Sequence, residues 1–382
     1  MEVVTGASIA DIFSTNGNWD AFVKKYEKRI RDAVFTNVRK VLQCKISLGH
    51  AVYQCQSCLL TKQVHFTCKS RFCSRCGTVQ TNTWIDKYQT TFLNIPYQHI
   101  VFTVPDILWP IIQIYRKIGL NILAQAATRA ILLHTKSKFG YTPAIMVVIH
   151  TFGRDLKFNP HIHLLISCGG LSKCKTKWIH NSYLHHLALK ETWRYQIITA
   201  LREAIKSGEI KMDPCILDKA YSSAKQWYVH IGKKLADAKK VVKYIGRYTK
   251  RPAIAQTRIT SFINNIVTFW YEDHKDKCKI NIALPALDFI GKLVAHIHDH
   301  HFKQIRYSGL LAARSRSANL ERSRVLLNLD EPQTWLRTSW RHRIRAFSGN
   351  DPLTCPKCKL EMTKTQIHFP NRGDPIVLKK VA

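Results

Sequence analysis

Within Phe158-Asn-Pro-His-Ile-His-Leu-Leu-Ile-Ser167, two histidines stand two apart in an apolar, β-rich run. On a strand, residues i and i+2 face the same side, so His161 and His163 would project together. Two neutral imidazoles held this rigidly make a metal site. Taken alone, the segment is equally consistent with two half-buried strand histidines. A second strand is expected at Ala144 to Phe152, and the turn-rich Gly153-Arg-Asp-Leu-Lys-Phe-Asn159 between the two predicts an antiparallel hairpin.

The chain's 382 residues suffice for two or three domains with a real core, and 46% hydrophobic residues is ordinary for a globular protein. Charge is not ordinary. Lys and Arg total 59 against 25 Asp and Glu, a formal +34, far beyond what solubility requires. A polyanion partner is implied, and nucleic acid fits better than a membrane, because no amphipathic anchor or lipidation signal is evident. No apolar run is long enough to span a bilayer, and the N-terminus lacks the basic and apolar regions of a signal peptide. The expected setting is a reducing, cytoplasmic one, in which the 12 cysteines serve as metal ligands or buried thiols, not disulfides.

Along the chain, residues 18–42 read as a helix, with Trp19, Phe22, Tyr26, Ile30 and Val34 at helical spacing. A cysteine-rich stretch follows. Helical patterns then appear at 79–93, 106–138, 185–206, 237–251 and 285–301. Strands are expected at 98–104, 144–152, 160–167, 225–231, 258–261 and 265–271. This order does not alternate strictly, so the fold class is α+β. The expected organisation is an N-terminal helical segment (1–43), a zinc-binding, DNA-contacting module (44–80), a catalytic domain (95–310) and a basic C-terminal region (311–382). That last region contains Arg314, Arg316, Arg322, Arg324, Arg337, Arg341, Arg343 and Arg345, which suit phosphate contact.

Between Cys44 and Cys76 lie six cysteines in connections too short to build a core of their own. Cys55-x2-Cys58 and Cys73-x2-Cys76, fourteen residues apart, have the spacing of a structural four-thiolate zinc site. Cys68 lies within the spacer as a substitute ligand, with Cys44, His50 and His65 nearby. Lys69, Arg71 and Arg75, interleaved with Phe66 and Phe72, would give the module a basic, aromatic face for DNA. Cys355-x2-Cys358 is half of a second zinc site, to be completed by His368 or by a cysteine elsewhere.

Val241-Val-Lys-Tyr-Ile-Gly-Arg-Tyr-Thr-Lys-Arg251 sets Tyr244 and Tyr248 at i and i+4 on one helical face. With Val241 and Ile245 they form an apolar stripe, and tyrosines in such a stripe usually pack into a core. Lys243, Arg247, Lys250 and Arg251 are nonetheless dense enough to hold DNA phosphates, and a phenol beside such cations is a credible nucleophile. A metal held by the histidines can polarise a scissile phosphate while a tyrosine oxygen attacks phosphorus in line. The phosphotyrosine bond would keep the energy of the broken diester, so a freed 3′-hydroxyl could reverse the step. Two tyrosines would permit two such exchanges.

In order along the chain come Ser70-Arg-Phe-Cys-Ser-Arg-Cys76, His150-Thr-Phe-Gly153, Asn159-Pro-His-Ile-His163 with Gly169-Gly-Leu171, Tyr244-Ile-Gly-Arg-Tyr248, Ile305-Arg-Tyr307 and Asp351-Pro-Leu-Thr-Cys-Pro-Lys-Cys358. Together these make the chain resemble the HUH single-strand DNA transposases of the IS91 type over nearly its whole length. The resemblance implies an HUH-endonuclease-like central antiparallel sheet flanked by helices. It implies a rolling-circle transposase that nicks and rejoins single-stranded element ends and target DNA through 5′-phosphotyrosine intermediates. His161 and His163 would be metal ligands, and Tyr244 and Tyr248 the two nucleophiles. A third ligand is expected on the neighbouring strand; His150 is the candidate, with Asp155 and Gln226 as weaker options. The catalytic ion would be Mg²⁺ or Mn²⁺, the histidines favouring Mn²⁺, with Zn²⁺ structural. Two alternatives stand beside this reading. One is a replication initiator or relaxase of the same chemistry, and the other is a zinc-containing DNA-binding protein without catalysis.

Overall fold

In the computed structural model the described residues are 4–5, 7–223, 226–236, 238–249, 252–273, 276, 278–331, 338–370 and 376–377. The fold is α+β, built on antiparallel sheets. The largest sheet orders its strands Ile305–Gly309, Tyr141–Phe152, Phe158–Ser172, Tyr97–Thr103 and Val229–Leu235, with the short Trp178–Ile179 strand paired to Phe158–Ser172. The histidine strand is therefore internal, held on both sides. Its hairpin with Tyr141–Phe152 is antiparallel, as the sequence predicts.

Period-two alternation explains the two faces of this sheet. Ile162, Leu164 and Ile166, with Ile145, Val147, Ile149, Ile100 and Phe102, point into a core shared with the helices Arg116–Leu132 and His186–Lys206. Fully burying each of these side chains is worth about 1.5–3 kcal/mol. The opposite face carries the histidines at one end and Tyr97, Met146, Val148 and Leu165 at the other. There it is covered by Val241, Val242 and Ile245 of helix Ala238–Thr249 and by Trp84 of helix Ser74–Thr91. A register slip of one residue would send the imidazoles into the helix-filled core, so the apolar face enforces where the histidines point.

A second sheet joins Val4–Thr5, Ile259–Ile263, Ile266–Glu272 and Lys279–Pro285. Its tight hairpin turns at Asn264 and Asn265, whose φ values of 50° and 62° suit the two-residue turn that matches strand twist. The helices Ile9–Ser14, Asn18–Tyr26, Asp32–Leu42 and Ala286–Val294 share its core. The expected single helix over 18–42 is interrupted at residues 27–31. There Ile30 is extended, and Arg31 pairs with Asp299 and donates to the Ile297 carbonyl at 2.6 Å. Periodicity continues through the break because both helices bury the same side. Likewise the long 106–138 pattern is divided at Tyr115, with the helices Trp109–Ile114 and Arg116–Leu132 on either side.

The third sheet joins distant parts of the chain. Its order is Ile376–Val377, Met362–His368, His50–Cys55 and Thr61–His65, so the first cysteine-bearing hairpin pairs with a strand some three hundred residues later. No helix among the described residues is long and apolar enough to cross a membrane.

Candidate active site

Residues directly opposite one another in an antiparallel pair share a face. His161 lies opposite His150 on one neighbouring strand and Thr103 on the other, and His163 lies opposite Val148 and Val101. His99 precedes Val101 by two, and His230 pairs with Val101, so five imidazoles occupy one face of the sheet. They line a cleft of about 690 Å³ with Tyr244, Arg154, Lys233 and Arg258. Among the described residues, no carboxylate lines it.

Three ring nitrogens converge. His161 Nε2 lies 3.1 Å from His163 Nε2 and 3.3 Å from His150 Nδ1. Their remaining nitrogens explain this arrangement. His161 Nδ1–H donates to the Asn159 carbonyl at 2.7 Å, which leaves Nε2 with its lone pair. His163 Nδ1 faces His99 Nε2 at 2.9 Å, so His163 also turns Nε2 inward. Burial drives all three imidazoles toward the neutral form, with the neighbouring histidines adding to the effect at His150 and His163. A neutral imidazole with its other N–H fixed is the form that ligates metal. The donor set fits a divalent ion that accepts nitrogen, such as Mn²⁺, better than oxygen-seeking Mg²⁺.

His150 thus joins the pair that the strand pattern marks. Asp155 does not: its carboxylate accepts the Lys157 N–H at 3.2 Å and pairs with Lys157 Nζ at 3.3 Å. Gln226 is exposed and away from the cleft. His99 was not singled out by the sequence, because only strand register sets it beside His163.

Tyr244 reaches the same cleft. Its helix buries Val241, Val242 and Ile245 against the sheet, and its ring meets the His99 ring edge-on with centroids 5.1 Å apart. The side chains of Arg75, Arg247 and Tyr248, and all of Lys250 and Arg251, lie outside the described residues. Lys243 is exposed one residue before Tyr244.

The structure does not bring the two expected cysteine pairs together. Cys73 and Cys76 converge instead with Cys44 and Cys68, and Cys55 and Cys58 converge with Cys355 and Cys358. The physical reason is that Cys55 sits on the third sheet, whereas Cys73 and Cys76 stand at the start of helix Ser74–Thr91 beside the end of helix Asp32–Leu42. In the first group Cys44 Sγ lies 3.8 Å from Cys76 and 3.9 Å from Cys73, and Cys68 lies 3.6 Å from Cys76. These approach the about 3.8 Å edge of a tetrahedron with Zn–S of about 2.3 Å, so the donors fit structural zinc. His368 stacks on His50 and does not join either cysteine group.

Several expected DNA-facing cations are engaged internally. Arg71 donates to Gln304 Oε1 at 2.6 Å, Phe72 is buried, and Lys69 is exposed. Arg316 Nε bonds the Leu311 carbonyl, Arg322 Nε the Lys175 carbonyl, and Arg341 pairs with Asp351 and Glu361. Arg337 lies outside the described residues.

Two family models match the chain: one described as "Transposase zinc-binding domain" over residues 14–104 and one described as "Putative transposase" over residues 144–319. The two matches describe a transposase with an N-terminal zinc-binding part. The chain is 30% identical over 375 residues to the transposase for insertion sequence element IS801 of Pseudomonas savastanoi pv. phaseolicola, covering 94% of this chain and 90% of that protein. It is 26% identical to the "Putative transposase y4qJ" of Sinorhizobium fredii (strain NBRC 101917 / NGR234), covering 93% of each. The chain belongs to the IS91 family of transposases. No solved structure matches it.

Proposed function

We propose that the cleft is an HUH-type endonuclease site that cuts and rejoins single-stranded DNA in rolling-circle transposition, with Tyr244 as a nucleophile. The observation that carries this reading is the convergence of the His150, His161 and His163 nitrogens in a cleft that Tyr244 lines and no described carboxylate enters. A cleft that no described carboxylate lines, with Lys233, Arg258 and the Glu272-paired Arg154 at its walls, favours a polyanionic strand. Lys243 and Lys69, both exposed, are suited to hold flanking phosphates.

His150, His161 and His163 would hold Mn²⁺ or Mg²⁺. When bound, that ion polarises the scissile phosphate and offsets charge building at phosphorus. The Tyr244 oxygen attacks phosphorus as the bond to the 3′-oxygen breaks. The phenol's proton is balanced by the one gained on the leaving 3′-hydroxyl, and the 5′ end remains on tyrosine as a diester. Attack on that diester by another 3′-hydroxyl restores the phenol and joins the strands. Tyr248, one turn further along the helix, is the proposed second nucleophile.

The test is incubation of labelled single-stranded element ends with the purified protein and Mn²⁺ or Mg²⁺, read on a denaturing gel. A covalent adduct that needs the ion and disappears in Tyr244→Phe/Tyr248→Phe supports the reading. A zinc-loaded, folded protein that forms no adduct on correct ends would overturn it.

A further inference from the structure

The segments Cys55-Gln-Ser-Cys-Leu-Leu60 and Cys355-Pro-Lys-Cys-Lys-Leu360 fold into the same turn. In the first, Leu59 N–H donates to the Cys55 carbonyl at 3.0 Å and Cys55 N–H to the Leu60 carbonyl at 2.9 Å. In the second, Lys359 N–H donates to the Cys355 carbonyl at 3.0 Å and Cys355 N–H to the Leu360 carbonyl at 2.8 Å. Leu59 and Lys359 are both left-handed, with φ of 58° and 61°, a conformation uncommon outside glycine. Each turn closes an antiparallel pair, Gln54 with Thr61 and Thr354 with Glu361. One local geometry is therefore built twice, at opposite ends of the chain.

The two turns face each other. Cys55 Sγ lies 3.2 Å from Cys358, and Cys58 lies 3.5 Å from Cys355 and 3.6 Å from Cys358. Their surroundings cannot hold the turns together unaided. The buried core here is Ala51, Tyr53, Cys55, Leu353, Cys355 and Met362, little apolar surface against the exposed cations Lys62, Lys357, Lys359 and Lys364. The family's zinc-binding segment, residues 14–104, contains one complete thiolate set in Cys44, Cys68, Cys73 and Cys76, but only half of this one.

We propose that Cys55, Cys58, Cys355 and Cys358 bind a second zinc ion, closing a zinc ribbon whose two halves come from opposite ends of the chain. The ribbon is also what docks the arginine-bearing helix Trp340–Ser348. Trp340 packs edge-on against Tyr53 with centroids 6.3 Å apart, and Arg341 pairs with Asp351 and Glu361 on either side of the second turn. Binding of the ion and docking of the C-terminal region are one equilibrium, because the ligands meet only when the ends do.

The experiment uses full-length protein in which zinc has been replaced by Co²⁺, whose sulfur-to-metal charge-transfer band reports thiolate ligation and ignores the histidine cleft. Cys355→Ser/Cys358→Ser should remove about half of this band, and Cys73→Ser/Cys76→Ser the other half. Limited proteolysis of Cys355→Ser/Cys358→Ser should release the chain beyond about residue 338 while the remainder resists. Persistence of the Cys44, Cys68, Cys73 and Cys76 half shows that the variant is folded elsewhere. An unchanged band in Cys355→Ser/Cys358→Ser, or a Cys55 to Cys358 disulfide in the protein purified under reducing conditions, overturns the proposal. None of these readouts depends on DNA cleavage.

Discussion

His99 Nε2 lies 2.9 Å from His163 Nδ1 with the two rings stacked 15° from parallel, and this contact decides which nitrogen His163 presents to the cleft. His99 is buried and its conjugate acid is held down to about 4, by desolvation first and then by His230 and His161. It therefore stays neutral, and its Nε2 can accept the His163 Nδ1–H in the tautomer that frees His163 Nε2 for the cleft. Outer partners of this type typically contribute 10–100-fold to metal affinity. His99→Phe is expected to weaken Mn²⁺ binding by about that factor, with His99→Gln recovering part of it. Calorimetric Mn²⁺ titration of zinc-loaded protein is the measurement, and wild-type affinity in His99→Phe would reduce His99 to a packing residue.

The third ligand can be separated from its sequence rivals. His150→Ala should lower Mn²⁺ affinity by more than about 100-fold, as loss of a direct ligand must exceed the roughly 10–100-fold loss of an outer partner. Asp155→Ala and Gln226→Ala should leave it unchanged, since neither side chain enters the cleft. Comparable losses in Asp155→Ala would move the third ligand to the loop.

Gly246 stands between Tyr244 and Tyr248 where the tyrosine helix crosses helix Ser74–Thr91. A Cβ at this position would lie 2.5 Å from both Cγ1 and Cδ1 of Ile85. Gly246→Leu should therefore cost about 1–3 kcal/mol by overpacking and displace Tyr244. Strand cleavage should fall while Mn²⁺ binding at the histidines persists. Adding Ile85→Ala makes room and should restore part of the activity; if the double variant is worse than either single one, the contact is not what sets the helix.

Acid sensitivity has a traceable source in His296. Its Nε2–H donates to the Leu156 carbonyl at 3.2 Å, its Nδ1 meets Thr151 Oγ1 at 3.3 Å, and burial holds its conjugate acid down to about 3. The unfolded chain takes up this proton near pH 6.5 and the folded one only near 3, so between those values the unfolded state binds more protons. The contribution is thus fully present above pH 6.5 and is lost as pH falls toward 3. Tm measured from pH 7.5 to 4.5 should decline, and His296→Gln should flatten the decline. An equally steep acid limb in the variant would place the sensitivity elsewhere.

Much of the histidine-bearing face is legible before folding. His161 and His163 share a side because strand periodicity is two, and Tyr244 follows an apolar stripe because helix periodicity is 3.6. His150 follows from the hairpin, which the turn residues Gly153 to Asn159 announce. His99 and His230 are not legible, because they come from strands whose order and register depend on how the Ile162 and Leu164 face meets its helices. The break at 27–31 is hidden for a similar reason: both halves keep the same buried side, and the Arg31 contact with Asp299 that accompanies the turn lies far along the chain.

The cysteines divide along the same line. Each Cys-x2-Cys pair is a local turn, so the sequence by itself determined that Cys55 with Cys58, Cys73 with Cys76, and Cys355 with Cys358 would each offer two sulfurs to one point. Which pairs meet was decided only by the tertiary structure. Closing a loop of about three hundred residues instead of about fifteen costs roughly 3 kcal/mol more in chain entropy, since that cost grows only with the logarithm of length. The pairing of strand Met362–His368 with His50–Cys55 sets Cys355 and Cys358 beside Cys55 and Cys58, so adjacency in the sheet, not spacing in sequence, selects which pairs meet.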